Sequence, residues 1–197
     1  MYTCQVENII GISGKFGSGK SHIANVLSDE MGIPVYKMDA CIIEGLSRFP
    51  YRRIAQRCLK TKLTKEHDHL LSNMQNLNRT MTRLEKWLVL RIGNKQIRRL
   101  GKSGEPVIID FFGLPISKYW VAFGKKILVV AKDDDERKRQ FMERNGFTPE
   151  QVAMLDTVAK DIVNYDNYKF DAIIENDYTE SRGVDLDAVL FDFMRQK

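Results

Sequence analysis

Short apolar runs, bounded by glycine, proline or charged residues, alternate along the chain with stretches in which apolar residues recur at three- and four-residue intervals. The apolar runs predict five buried strands, in NIIGIS, PVYKMD, EPVIIDFF, KKILVVAK and FDAIIEN. The helical stretches are SHIANVLSDEMG, which ends at Gly32, two helices separated by NGFTP, and a last helix through DLDAVLFDFM. This alternation predicts an α/β fold with a five-stranded parallel sheet and helices on both faces.

The middle of the chain has few strand signals and a long helical pattern. The apolar residues that carry this pattern are Leu70, Leu71, Met74, Leu77, Met81, Leu84 and Leu88. They predict a helical lobe over residues 44–104, inserted into a core formed by residues 1–43 and 105–197. Within that core, residues from about 132 to 160 are predicted to form a lid.

Charge is distributed unevenly over these regions. The formal net charge is +5, but residues 48–102 contain 15 lysines and arginines against three acidic residues, and the rest of the chain is net negative. A basic lobe attracts anions. It therefore suits a small anionic acceptor, a nucleotide or a nucleic acid, and charge alone leaves the choice open.

Cysteine usage and hydropathy limit the classes of protein to which the chain can belong. No apolar run approaches the roughly 20 residues that a membrane helix needs, and the amino terminus lacks a basic segment followed by an apolar one. Cys4, Cys41 and Cys58 are scattered and outside any metal-ligand spacing, which is typical of a reducing compartment. We expect a cytoplasmic protein that makes no membrane contact.

A glycine-rich turn between the first strand and the first helix carries the clearest chemical signal. Gly14, Gly19, Lys20 and Ser21 complete the pattern G-x-x-x-x-G-K-[ST], which in this context predicts a phosphate-binding loop of the P-loop NTPase type. Backbone N–H groups and the helix amino terminus would surround the phosphates of ATP, Lys20 would reach the β and γ phosphates, and Ser21 would ligate Mg²⁺. The predicted nucleotide-binding residues are Gly14, Lys15, Gly17, Ser18, Gly19, Lys20, Ser21 and His22. For Lys15, an exposed loop lysine without a role is an equal alternative.

Three further charged residues complete the predicted site. Asp39, after the second strand, is the candidate base for an acceptor hydroxyl, with a helix N-cap as the alternative. Asp110, after the third strand, either holds Mg²⁺ through water or is a plain strand-end aspartate. Among the lid cations Arg137, Lys138, Arg139 and Arg144, we choose Arg144 for a phosphate contact because it precedes the hinge glycine; the alternative is a solvated helix face.

Taken together, the segments GISGKFGSGKS, GIPVYKMDA, KKILVVA, ERKRQFMERNGFTPEQ and FDAIIEND resemble dephospho-coenzyme A kinases over residues 8–44 and 105–195. The resemblance implies that Asp39 is the catalytic aspartate, that Arg144 is a lid arginine and that Asn176 lies near the adenine. The family has an N-D-G sequence where this chain has Asn176, Asp177 and Tyr178. The chain also departs from the family on the acceptor side, where the central lobe lacks the histidine-proline pair.

These observations lead to three hypotheses. The first is a kinase that uses ATP and Mg²⁺ to phosphorylate the ribose 3′-hydroxyl of dephospho-coenzyme A, with Asp39, Lys20 and Arg144 as catalytic residues. The second is a P-loop kinase with another nucleoside or nucleotide as acceptor. The third is a non-catalytic, nucleotide-dependent module that binds nucleic acid through the basic lobe.

Overall fold

The computed structural model describes residues 6–47 and 83–178 of the 197-residue chain. Its strands are β1 (Val6–Ser13), β2 (Val35–Lys37), β3 (Val107–Asp110), β4 (Phe123–Ala131) and β5 (Ala172–Asn176). Its helices are α1 (Lys20–Met31), α2 (Met38–Ser47), α3 (Arg83–Ser103), α4 (Asp134–Asn145) and α5 (Pro149–Ile162). Short 3-10 turns span Leu114–Ile116, Trp120–Ala122 and Tyr165–Asn167.

The five strands form one sheet in the order β2-β3-β1-β4-β5. Every neighbouring pair is parallel; in the centre, Ile10 of β1 aligns with Ile108 of β3 and with Lys125 of β4. The predicted five-stranded parallel sheet is therefore confirmed. Because β1 is the central strand, the turn that follows it lies at the middle of the carboxyl edge, where ligands bind in open α/β sheets.

Two buried clusters cover the two faces of this sheet, as predicted. The smaller cluster packs α1 against β1, β3 and β4 through residues that include Ile23, Leu27, Ile108 and Val129. The larger cluster brings α2, α3, α4 and α5 to the other face. Helix α1 ends at Gly32, whose φ of 64° is the left-handed conformation of a helix C-cap.

The predicted pair of helices around NGFTP is α4 and α5, and local sequence explains both ends of the break. The Asp133 carboxylate caps α4 by accepting from the N–H groups of Asp135 and Glu136. Gly146 ends α4 with a φ of 66°. Helix α5 then begins with a capping box between Thr148 and Gln151 and with proline at its first turn.

Strand β2 and helix α3 bear on two boundaries that the sequence predicted. Strand β2 ends at Lys37, and Asp39 belongs to the first turn of α2 instead of the end of the strand. Helix α3 falls inside the predicted lobe of residues 44–104 but packs on the sheet, with Leu88, Val89 and Ile92 in the larger cluster. Residues 48–82 of that lobe, and the predicted last helix, lie outside the described residues, so the division into core and lobe remains a prediction.

Within residues 6–47 and 83–178, no helix has the length and apolar character needed to cross a membrane.

We predict that two leucines of α3 respond differently to truncation. Leu88 is 1% exposed and Leu84 is 46% exposed. Leu88→Ala should lower the free energy of unfolding by about 2–5 kcal/mol because it leaves a cavity in the core, whereas Leu84→Ala should cost less than about 1 kcal/mol. Urea denaturation of both variants measures the difference. Equal losses would contradict the packing of α3 against the sheet.

Candidate active site

The predicted phosphate-binding loop, residues 14–21 and called the phosphate loop below, lies at the carboxyl end of β1, against the ends of β4 and β5. Gly14 has a φ of 155° and Gly19 a φ of 90°, and a Cβ on either residue would overlap its neighbours. The obstacles are the carbonyl oxygen of Val129 for Gly14 and the side-chain amide of Asn176 for Gly19. Glycine is therefore required at both positions by backbone conformation and by space.

Lys20 opens α1 and points back into the loop. The residue is 9% exposed, its Nζ donates to the carbonyl oxygen of Lys15 at 3.4 Å, and the same Nζ lies 5.6 Å from the ring centroid of Phe16. The amide of Ser18 donates to that same carbonyl at 3.2 Å. Two donors thus converge on one oxygen, which is the arrangement that a phosphate oxygen can take over.

The structure brings Ser21 and Asp110, the two candidate magnesium ligands, into direct contact. The Ser21 hydroxyl donates to Oδ2 of Asp110 at 2.5 Å. Oδ1 of Asp110 is buried and has no hydrogen-bond partner among the residues that the structure describes. The described residues contain no group of three or more histidine, cysteine or acidic side chains that could enclose a metal. One hydroxyl and one carboxylate fit Mg²⁺, which usually keeps several waters and takes phosphate oxygens as further ligands.

Asp39 faces this pair from the first turn of α2. The residue is half-buried as a whole, but its Oδ1 is enclosed and has no hydrogen-bond partner in residues 6–47 or 83–178. Burial raises the pKa of Asp39 to about 6; the positive charge of Lys20 lowers the pKa, and the negative charge of Asp110 raises it. These interactions put Asp39, Lys20 and Asp110 in one electrostatic site. The helix N-cap alternative does not apply, since Asp39 lies inside α2.

Arg137, which the sequence grouped with the exposed lid cations, has a different environment. Its side chain is 1% exposed. The guanidinium donates to the Phe16 carbonyl of the loop at 2.6 Å, to Asp156 of α5 at 2.5 Å and to Asp134 at 2.8 Å. Arg137 therefore joins α4, α5 and the phosphate loop through a buried ion-pair cluster.

The other lid cations lie on the surface of α4. Arg139 is bound by Glu136 and Glu143, and Lys138 pairs with Asp134 and Asp135. Arg144, in the last turn, is exposed. Arg139 and Lys138 thus match the solvated-face alternative, whereas the phosphate contact assigned to Arg144 remains a prediction.

Three nucleotide-binding predictions fall at the edge of the loop. Lys15 is half-exposed and pairs with Asp134 at 3.6 Å, so it bridges the loop to α4. His22 is exposed on α1. Asn176, at the end of β5, donates through Nδ2 to the carbonyl oxygen of Ser18 at 3.0 Å.

Sequence reasoning missed one residue that contacts the loop. The Tyr178 hydroxyl donates to the carbonyl oxygen of Gly17 at 2.7 Å, and the Tyr178 N–H donates to Oδ1 of Asn176 at 3.1 Å. The one sequence signal was the departure at position 178, where the resembled family has glycine and this chain has tyrosine. A contact across 161 residues of sequence is not readable from local pattern.

Comparisons with known proteins agree with this geometry. The chain is 28% identical over 152 residues to a curated dephospho-CoA kinase from Geobacillus kaustophilus, covering 73% of this chain and 75% of the relative. A Thermus thermophilus protein named TT1252 superimposes with a TM-score of 0.63 at 23% identity, over 93% of this chain and 96% of its own. A gluconokinase from Sinorhizobium meliloti gives a TM-score of 0.56 at 15% identity, over 98% of this chain and 94% of its own. No protein-family profile matches the chain.

The sheet order and these structural similarities show that the chain has the fold of P-loop kinases. The resemblance to dephospho-coenzyme A kinases that the motifs indicated is confirmed.

We predict that the pKa of Asp39 moves in opposite directions when its two charged neighbours are neutralised. Lys20→Met should raise it above the value of about 6, because a cation that favours the carboxylate is lost. Asp110→Asn should lower it, because a repelling carboxylate is lost. Carbon-13 NMR titration of the aspartate carboxyls measures both shifts, with Asp29→Asn on the exposed side of α1 as the unchanged control. Shifts of the same sign would contradict the assigned site.

Proposed function

We propose that this protein transfers the γ-phosphate of ATP to the ribose 3′-hydroxyl of dephospho-coenzyme A. The observation that carries the proposal is the meeting of an unpartnered Asp39 oxygen with the Lys20 and Asp110 charges at the phosphate loop. The similarity to a curated dephospho-CoA kinase supports the choice of acceptor.

The nucleotide side of the reaction belongs to the loop and to Lys20. The loop amides and the amino terminus of α1 provide donors and positive potential for the phosphates of ATP. The ammonium group of Lys20 neutralises charge on the transferring phosphoryl group, and its low exposure strengthens that interaction. Lys20 Nζ donates to the Lys15 carbonyl, and a phosphate oxygen would replace that carbonyl as its acceptor.

Mg²⁺ would be held by Ser21 and Asp110, whose hydroxyl and carboxylate are already joined. Bound there, the metal ion would neutralise charge on the phosphate oxygens. The short contact between the two side chains fixes the hydroxyl orientation before any ligand enters, and the free Oδ1 of Asp110 keeps an oxygen available.

The acceptor side of the reaction belongs to Asp39. Its free carboxylate oxygen can accept the proton of the acceptor hydroxyl while the hydroxyl oxygen bonds to the γ-phosphorus. The bond from that phosphorus to the β,γ-bridging oxygen breaks, which leaves ADP and the phosphorylated acceptor. A pKa of about 6 suits the task, because Asp39 is mainly ionised at neutral pH yet still basic enough to hold a proton.

We predict that Asp39→Asn lowers kcat with dephospho-coenzyme A by on the order of 10²-fold or more, because the amide cannot take a proton. The KM for ATP should change little, since Asp39 is on the acceptor side of the phosphate loop. A coupled assay of ADP formation measures both constants, and Asp29→Asn is the matched control.

The same assay with nucleosides, nucleotides and gluconate as acceptors tests the substrate assignment. Transfer to dephospho-coenzyme A alone supports it. Turnover of Asp39→Asn within a few fold of wild type would contradict the role of Asp39 as the base. Efficient transfer to a different acceptor would contradict the proposed substrate but not the proposed kinase activity.

A pair of arginine substitutions on α4 tests the lid. Arg144→Gln should lower kcat/KM for ATP by on the order of 10-fold or more, because a phosphate-bound arginine contributes strongly to phosphoryl transfer. Arg139→Gln removes another exposed charge, one that already pairs with Glu136 and Glu143, and should have little effect. Steady-state kinetics at a fixed acceptor concentration measures kcat/KM for ATP in both variants. An Arg144→Gln effect as small as that of Arg139→Gln would assign both arginines to the solvated face.

A further inference from the structure

Three consecutive backbone carbonyls of the phosphate loop are bound from outside by side chains of distant elements. The donors come from α4 and from the end of β5, and each carbonyl receives one of them. The pairs are Arg137 with Phe16 at 2.6 Å, Tyr178 with Gly17 at 2.7 Å and Asn176 with Ser18 at 3.0 Å. We call these three donors the carbonyl clamp.

The carbonyl clamp has a consequence for the opposite side of the loop. In a planar trans peptide, the C=O of one residue and the N–H of the next point in opposite directions. A carbonyl held by a donor outside the loop therefore turns the following N–H away from that donor, the direction that we call inward. The Ser18 amide, which follows the Gly17 carbonyl, is turned to the Lys15 carbonyl, where Lys20 Nζ also converges.

Within the carbonyl clamp, Tyr178 has a backbone conformation that is unusual for a residue with a side chain. Its φ is 60°, which is a left-handed conformation. Among the described residues it is the only residue other than glycine with a positive φ. The resembled family has glycine at this position, for which the conformation carries no steric cost. In this chain a tyrosine adopts that left-handed conformation. A strained residue at a ligand loop points to a function that compensates for the strain.

Several interactions hold the phenol in place. Asn176 connects both parts of the arrangement, because its Nδ2 binds the Ser18 carbonyl while its Oδ1 accepts from the Tyr178 N–H. The side chain also lies within electrostatic range of two cations of α4, Arg137 and Arg144, and of two acidic residues, Asp134 and Glu136. Burial raises the pKa of Tyr178 to about 12, so the hydroxyl remains a donor throughout the physiological range.

We propose that Tyr178 is a positioning residue that fixes the inward orientation of the loop amides and so strengthens the binding of the nucleotide's phosphates. The proposal rests on the proposed ATP-dependent function. Tyr178 acts through the Gly17 carbonyl and not through contact with the reacting atoms.

Tyr178 offers a cleaner test than Arg137. Arg137 is fully buried and binds two carboxylates, so its removal leaves unpaired buried charges and destabilises the fold. Tyr178 is half-buried at the carboxyl end of the edge strand β5, and Tyr178→Phe removes one hydroxyl with the ring retained. The effect on binding is therefore separable from an effect on folding.

The experiment measures the affinity of the full chain for two probes, Mg·ATP and Mg·tripolyphosphate, by titration calorimetry. Tyr178→Phe should weaken both by roughly 3- to 10-fold, the range expected for one lost hydrogen bond. Tyr178→Gly, which restores the residue of the resembled family, should weaken both at least as much. In steady state the KM for ATP should rise while the KM for the acceptor stays unchanged.

Tyr36→Phe is the matched control. It also removes a hydrogen-bonded tyrosine hydroxyl. That hydroxyl contacts Gln96 and Arg99, and Tyr36 lies on β2 at the opposite edge of the sheet. It should leave the affinity for both probes unchanged. Thermal unfolding without nucleotide checks that each variant remains folded.

The outcomes separate this proposal from the function on which it rests. Wild-type protein that binds neither probe would overturn both. Tight wild-type binding that Tyr178→Phe leaves unaltered would overturn the positioning role and keep the kinase. Loss confined to Mg·ATP would also overturn it, because the hydroxyl would then act on the nucleoside and not on the loop.

Discussion

The phosphate loop fits between the ends of β4 and β5 only because two of its residues have no side chain. Gly14 lies against the Val129 carbonyl and Gly19 against the Asn176 amide, both in space that a Cβ would need. That contact fixes how close the loop lies to the sheet, and the amino terminus of α1 follows directly from it. The rest of the site depends on this placement, since Lys20 and Ser21 are the first two residues of α1.

Charge in the site follows a single rule, that an enclosed ion needs a counter-charge or a hydrogen bond. Arg137 satisfies the rule through Asp134, Asp156 and the Phe16 carbonyl, and it is a structural cation. Asp39 and Asp110 satisfy it incompletely, since each retains one buried oxygen without a partner among the described residues. In a native protein such oxygens call for an explanation. The substrate hydroxyl proposed for Asp39 and the metal ion proposed for Asp110 would supply one.

The sequence was informative where chemistry or periodicity is local. The five strands, α1, the break between α4 and α5, and the phosphate loop all follow from short patterns whose physical basis lies within a few residues. The Ser21–Asp110 pair was also predictable, because the ends of adjacent parallel strands meet at one edge. Asp39 was placed one element too early, since a strand of three residues leaves little pattern to mark its end.

What the sequence could not provide depends on tertiary packing. Arg137, Lys138 and Arg139 are consecutive cations on one helix, and only the position of α5 and the loop decides that the first is buried and the other two are on the surface. The contact between Tyr178 and Gly17 joins residues at opposite ends of the described chain. Helix α3 was assigned to the helical lobe because Leu84 and Leu88 continue the apolar pattern of the middle of the chain. Only tertiary packing shows that Leu88, Val89 and Ile92 contribute to the cluster that covers the sheet.

The central claim is that the free oxygen of Asp39 serves a ribose hydroxyl beside the phosphate loop. Its most direct test is to incubate the protein with ATP, Mg²⁺ and dephospho-coenzyme A and to locate the new phosphate by phosphorus NMR and fragment mass spectrometry. The account predicts a single phosphomonoester on the ribose 3′-oxygen, formed in step with ADP. A phosphate on any other oxygen, or ATP that is bound without transfer to this acceptor, would contradict it.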